Sequence, residues 1–218
     1  TVIAAIKNDI AIYAIHTNLD NVLSGVNGKI AGMLGLKNIS VLSPKEYTLK
    51  KLFTFAPADK AELIRNAIFA AGGGHIGNYS ECSFNAEGVG TFKAGTGTNP
   101  YVGKIGERHH ENEIRIEVIF PAWLESTVLE AMKASHPYEE VAYDVVSLSN
   151  DHPEIGSGVI GNLPNAISEM EFLAQIKKIF DVPVIRHTRL LNKPIQKVAV
   201  CGGAGSFLVS KALAAGAD

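Results

Sequence analysis

Cysteine is scarce in this chain. Cys82 and Cys201 are the only two, far apart and outside any paired-ligand spacing. That excludes a disulfide-stapled scaffold and suits a reducing, cytoplasmic compartment. Charge of one sign is also missing: 20 Lys plus Arg stand against 22 Asp plus Glu, a formal net charge of −2. With no basic run, the electrostatic footprint of a nucleic-acid binder is absent. No apolar run reaches the ~18 residues that a membrane-crossing helix requires. No signal-peptide pattern stands at the start. Nor is there a Ser/His/Asp or Cys/His set around a nucleophile elbow, an internal repeat or a low-complexity stretch.

What is present is ordinary globular material. The 218 residues are 46% hydrophobic and 19% charged, enough for one large domain or two modest ones. The first residue is Thr1 rather than Met, and KALAAGAD stops where a helix has just met a glycine and another strand is due. The chain reads as an internal piece of a longer protein.

Residues 2–9 read as the end of a helix. IAIYAI (10–15) is apolar on both faces, which predicts a strand buried within an α/β sheet. After a polar turn, Leu23, Val26, Ile30 and Leu34 recur at helical spacing and stop near Gly35. The pattern then changes. A strand at 49–56 precedes the amphipathic helix ADKAELIRNAIFAAGGG, and YSECSFNAEGVGTFKAG reads as two strands around a glycine turn. The half-solvated strand ENEIRIEVIF, the helix PAWLESTVLEAMKAS with Pro121 in its first turn, and the strand VAYDVVSL follow. The order β-α-β-β-β-α-β predicts a compact ferredoxin-like or related α+β unit.

NDHPEIGSGVIGNLP reads as a loop-rich junction. Beyond it, SEMEFLAQIKKIF is helical, with Ser168 as N-cap and Glu171 three residues on forming a capping box. Strands VPVIRHT and KVAVCGG and the helix SFLVSKALAAG restore an α/β rhythm. The expected architecture is therefore an α/β fold, residues 1–47 and 151–218, interrupted by an α+β module at 48–150.

HTNLDN (16–21) supports two readings. In one, Asn18 or Asp20 caps the helix that follows. In the other, a strand delivers its polar end to a ligand crevice, where Asp20 offers a hard anionic oxygen to a metal and His16 a ligand or a proton shuttle. GSGVIG (156–161) matches a dinucleotide string but lacks the tight strand, turn and helix that such a fingerprint needs. VAVCGGAGS (198–206) has that order without the Lys-Ser/Thr ending of a P-loop, and reads as a tight turn; Cys201 within it reads as a small buried hydrophobe. His109 and His110 sit among polar neighbours and read as a solvated loop. SHPYEEVAYD (135–144), with His136, Tyr138, Glu139 and Glu140, reads as a turn with some capacity for ligand binding. GGGHIGNY (72–79) reads as a flexible loop with His75 at a pocket rim.

Taken together, AIHTNLDN…GVNGKIAGMLGL, GGHIGNYSECSFNAEGVGTFKAG…NPYVGKIGE, ASHPYEEVAYDV, GSGVIGNL and VAVCGGAGS…KALAAGAD resemble the NIF-three-like family, the GTP cyclohydrolase I type 2 homologues. The likeness is to its bacterial branch, which carries an inserted PII/CutA-like module. The resemblance implies a toroidal homohexamer and two divalent metal ions, Zn, Fe or Mn, held by an early histidine pair, the Asp of the H-T-N-L-D motif, and a late His and Glu. Of those ligands only the Asp maps here, as Asp20; the others fall outside residues 1–218, so the site in this chain is incomplete. His16, in the same motif, becomes the candidate catalytic group. His109 and His110 lie in the wrong context to be the missing pair. Val159 stands where many relatives carry Arg. The implied function is metal-dependent hydrolysis of an unspecified substrate. The alternatives are a metal-binding regulatory assembly with a ligand-sensing insert, and an interaction scaffold with structural metals.

Overall fold

A computed structural model describes residues 2–218. Its contacts divide the chain into two compact units: a flanking unit that runs up to Lys45 and resumes over His152–Asp218, and a middle unit, Glu46–Asp151. No described helix is long and apolar enough to cross a membrane.

The flanking unit opens with helix α1 (Val2–Lys7), a single turn α2 (Thr17–Asp20) and α3 (Val26–Met33). Its sheet has three antiparallel strands in the order β1 (Lys37–Pro44), β6 (Gly156–Ser168), β7 (Pro194–Val200). Helix α6 (Glu169–Ile179) begins at the capping box read from the sequence: Ser168 Oγ accepts the Glu171 N–H, and the Glu171 carboxylate accepts the Ser168 N–H at 2.8 Å. Ala31, Leu34, Leu36, Val159, Leu163 and Val198 make the core, with Phe172 and Ile176 of α6 packed on it. A 3-10 turn and α7 (Val209–Ala214) follow β7.

The middle unit runs β2 (Leu49–Pro57), α4 (Ala61–Ala70), β3 (Phe84–Lys93), β4 (Arg108–Pro121), α5 (Glu125–Ser135) and β5 (Tyr143–Ser147). Its sheet has the order β3-β4-β2-β5, every pair antiparallel. Alternation explains which face is buried. Leu52, Thr54 and Ala56 of β2 and Ile116, Val118 and Phe120 of β4 are buried, as are Ile64 and Ile68 of α4 and Val128 and Met132 of α5. The apolar ones among them form a single core. Thr54 satisfies its hydroxyl on the Ala142 carbonyl at 3.1 Å.

Several expectations need correction. IAIYAI is not a strand: residues 10–15 pair with no described strand, and Ile12 is 66% exposed. Apolar composition specifies burial, but a strand also needs an edge to bond to. YSECSFNAEGVGTFKAG contains one strand, β3, not two, because its polar first half finds no ladder partner; the order is β-α-β-β-α-β. GSGVIG is no junction loop but the start of β6, the central strand of its sheet, with Val159 opposite both Val41 and Val200. VPVIRHT forms no strand. His109 and His110 belong to β4, opposite Phe92 and Thr91, rather than to a loop.

Candidate functional site

The polar segment after residue 15 folds into α2, one helical turn with His16 at its N-cap position and Asp20 at its end. Three sets of contacts hold this turn. Asn21 donates its side-chain N–H to the Thr17 carbonyl at 2.8 Å and accepts the Ser157 hydroxyl at 2.6 Å. The Asn21 carbonyl accepts the Gly156 N–H at 3.0 Å, and Val22 bridges to Ile155. On the other side, Asn27 of α3 donates to the Asp20 carbonyl at 2.8 Å and accepts the Gly202 N–H at 2.6 Å. Gly25 makes the approach of α3 possible, because a Cβ there would sit 1.9 Å from the Leu19 carbonyl oxygen.

The motifs HTNLD and VAVCGG, about 180 residues apart, are thus brought to one place. Burial, and next the charge of Asp20, push the Cys201 thiol above its usual range, so Cys201 is a neutral thiol and not an activated nucleophile. Asp20 does not cap α3, whose N-cap residue is Gly25 with no side-chain cap bond. Among the described residues its carboxylate takes no hydrogen bond, which leaves both oxygens available. His16 is exposed and makes no capping bond.

The motif strings do not single out Asn27. It is 1% exposed and carries two hydrogen bonds that join the two motifs. The signal was present: a polar residue four positions after Leu23 and three before Ile30 lies on the apolar stripe of the helix.

The donors present do not by themselves fit a metal ion. Among the described residues no three His, Cys, Asp or Glu come together in a way that could hold one. A single carboxylate beside a protonated thiol is too few. His136 is not a donor either. Its Nε2 lies 3.0 Å from the Phe55 carbonyl, and its Nδ1 accepts the Tyr138 N–H at 3.1 Å. A carbonyl can only accept and a backbone N–H can only donate, so the ring is neutral with its proton on Nε2. His109 lies within 2.8 Å of Glu111, and His75 lines a cavity of about 310 Å3 with Phe69 and Glu81. The turn VAVCGG has Gly203 at φ +70° and one of its N–H groups already bonded to Asn27, so no anion cradle opens there.

The whole chain, residues 1–218, matches the family model described as Duf34/NIF3 (NGG1p interacting factor 3). The chain belongs to the Duf34/NIF3 family. It is 47% identical over 215 residues to a Halalkalibacterium halodurans protein and 43% identical over 215 residues to one from Bacillus subtilis, both named GTP cyclohydrolase 1 type 2 homolog. Each match covers 98% of this chain but only 58% and 57% of the relative. A crystal structure of a Bacillus cereus protein related to NIF3 superposes with a TM-score of 0.83 at 44% identity, over 100% of this chain and 58% of that one. A Staphylococcus aureus protein superposes at 0.64 with 28% identity, over 98% and 55%. This member of the Duf34/NIF3 family therefore spans a little over half the length of these relatives.

Proposed function

We propose that this chain is the Asp20-bearing part of a metal-dependent hydrolase of the Duf34/NIF3 family. In the same reading the middle unit is an inserted α+β module, ferredoxin-like in topology and PII/CutA-like in kind, and the working form is a homohexamer in the cytoplasm. Asp20 contributes one carboxylate to a pair of divalent ions. The remaining ligands come from the part of the relatives' length that this chain does not span. Two divalent ions bound there would supply an acidified water and a clamp for an oxyanion. In this reading His16, four residues before Asp20 and exposed, moves a proton. The GTP cyclohydrolase name belongs to the relatives, and the reading commits to hydrolysis without committing to GTP.

The observation that carries the reading is the treatment of Asp20. Its backbone is pinned by Asn27 against Gly202, while its carboxylate is left without a hydrogen bond and without a capping role. An unspent carboxylate on a pinned backbone fits a ligand better than a structural group.

The test is Asp20→Asn in the full-length protein, read by elemental analysis beside melting in excess chelator. Metal content and any hydrolytic rate should fall together, with melting of the metal-free protein almost unchanged. His16→Gln should lower rate more than occupancy, by ~10–100-fold. Metal content unchanged by Asp20→Asn would remove the reading.

A further inference from the structure

The middle unit holds a cavity of about 440 Å3, the size of a small-molecule site, that belongs to neither Asp20 nor His16. Its wall is aromatic. Phe55 comes from β2, Phe92 from β3, Tyr101 from the β3–β4 connection and Tyr138 from the turn after α5. The Tyr138 ring lies at the centre of this set, 6.0 Å from Tyr101 and 6.5 Å from Phe92. Three carboxylates, Glu113, Glu139 and Glu140, complete the lining, and among the described residues no lysine, arginine or histidine joins them.

Two of the carboxylates are positioned rather than merely nearby. Glu113 accepts the Tyr138 hydroxyl at 3.0 Å on one oxygen. Its other oxygen lies across Gly90, where a Cβ would stand only 2.0 Å away, so a glycine in β3 is what makes room for it. Glu139 accepts the Asn99 N–H at 2.8 Å and so ties down the connection that carries Tyr101.

We propose that this cavity binds a small organic ammonium ion, an amine or quaternary head on an apolar or aryl body. Three arguments select that class. An anionic ligand meets three carboxylates and no compensating cation. A metal ion meets carboxylates that do not converge, since no three donors among the described residues could hold one. A neutral apolar ligand would strip water from the carboxylates and return nothing. An organic ammonium needs no such convergence: its head pairs with Glu113 beside the π-faces of the rings, and its body displaces water from the aromatic wall. Tyr138 joins the two functions, because donating its O–H to a carboxylate enriches its ring in electron density. The site lies wholly within the middle unit and stands whether or not the hydrolase reading holds.

The experiment titrates the intact chain with three isosteres, phenethylammonium, 2-phenylethanol and phenylacetate, following tyrosine ring resonances by NMR. Phenethylammonium should bind at millimolar concentration or below, 2-phenylethanol about tenfold more weakly, and phenylacetate not at all. Glu113→Gln keeps the shape of the side chain and its acceptor for Tyr138, and should cost the ammonium about tenfold while leaving 2-phenylethanol unchanged. Tyr138→Leu, checked for folding by melting, should weaken both. Equal affinity for the neutral and the charged isostere would overturn the proposal in favour of a merely apolar pocket. So would an ammonium affinity indifferent to Glu113→Gln, or the absence of binding by all three probes.

Discussion

In the middle unit Leu52, Ile64, Ile68, Ile116, Phe120, Val128 and Met132 expose no surface at all, and helices α4 and α5 close over them. The flanking unit packs a smaller core and leaves a comparable set of apolar residues in the open. Val2, Ile3 and Ile6 of α1 and Ile12 and Tyr13 after it are 65–81% exposed. Both regions are rich in isoleucine and valine, so composition does not separate them. What separates them is whether the chain supplies a second surface. The middle unit carries its own helices to cover its sheet face, whereas the apolar run at 10–15 has the pattern of a buried strand and no partner among the described residues.

The largest effect that would break this contrast comes from the closed core. Phe120→Ala should cost ~3–5 kcal/mol by lost burial and a residual cavity. Denaturant unfolding followed separately by resonances of β4 and of β7 should show the middle unit melting early and the sheet of the flanking unit holding. Simultaneous loss of both would show that the two units do not unfold independently.

Asn27→Ala should come next. It strips the Gly202 N–H of its acceptor and frees the Asp20 carbonyl, at a cost of ~1–3 kcal/mol. Its signature should be local, with faster amide exchange at Gly202 and in α2 and none in the middle unit. Uniform loss of protection across both units would contradict the role given to Asn27.

Acid should act first on the middle unit, which holds both His136 and Glu117. Burial holds the His136 imidazole below its ordinary value of 6.5, against smaller opposing contributions from the Phe55 carbonyl and Glu113. The unfolded chain therefore takes up a proton that the folded chain refuses, and stability falls as pH drops below 6.5 toward the folded value. Glu117 adds a later loss. Lys51 and Arg115 hold its carboxylate below 4.5, so its contribution disappears only as pH falls through that lower value. His136→Gln should flatten the first slope and leave the second. An acid profile identical in the variant would mean that another group sets it.

The smallest effect is expected where the flanking unit is open. Ile12→Ser should change the stability of this chain by no more than about 0.5 kcal/mol, since an exposed side chain loses little. In a chain of the relatives' full length the same change should be costly where the added length packs on this segment. Thermal melts of the two lengths side by side provide the check. A large loss in the 218-residue chain would show that residues 10–15 are buried after all.

What could be read without a fold were the signals confined to one turn of chain. Ser168 and Glu171 specify the start of α6 because both partners of the capping box lie within four residues. The stripe from Leu23 to Leu34 specifies α3 for the same reason, and alternation around Leu52 and Ile116 marks β2 and β4. Asp20 and His16 were legible as candidates because the H-T-N-L-D string is compact. Tertiary structure decided everything that depends on a distant partner. GSGVIG is a central strand only because β1 and β7 flank it, each more than thirty residues away in sequence. IAIYAI fails to be one because no edge is offered. Asn27 acquires its role only when Gly202 arrives to donate to it, and the aromatic cavity exists only where β2, β3, β4 and the turn after α5 converge. Hydrogen bonds and packing between remote segments are set by which surfaces meet. Local sequence encodes the capacity for such contacts but not the partner.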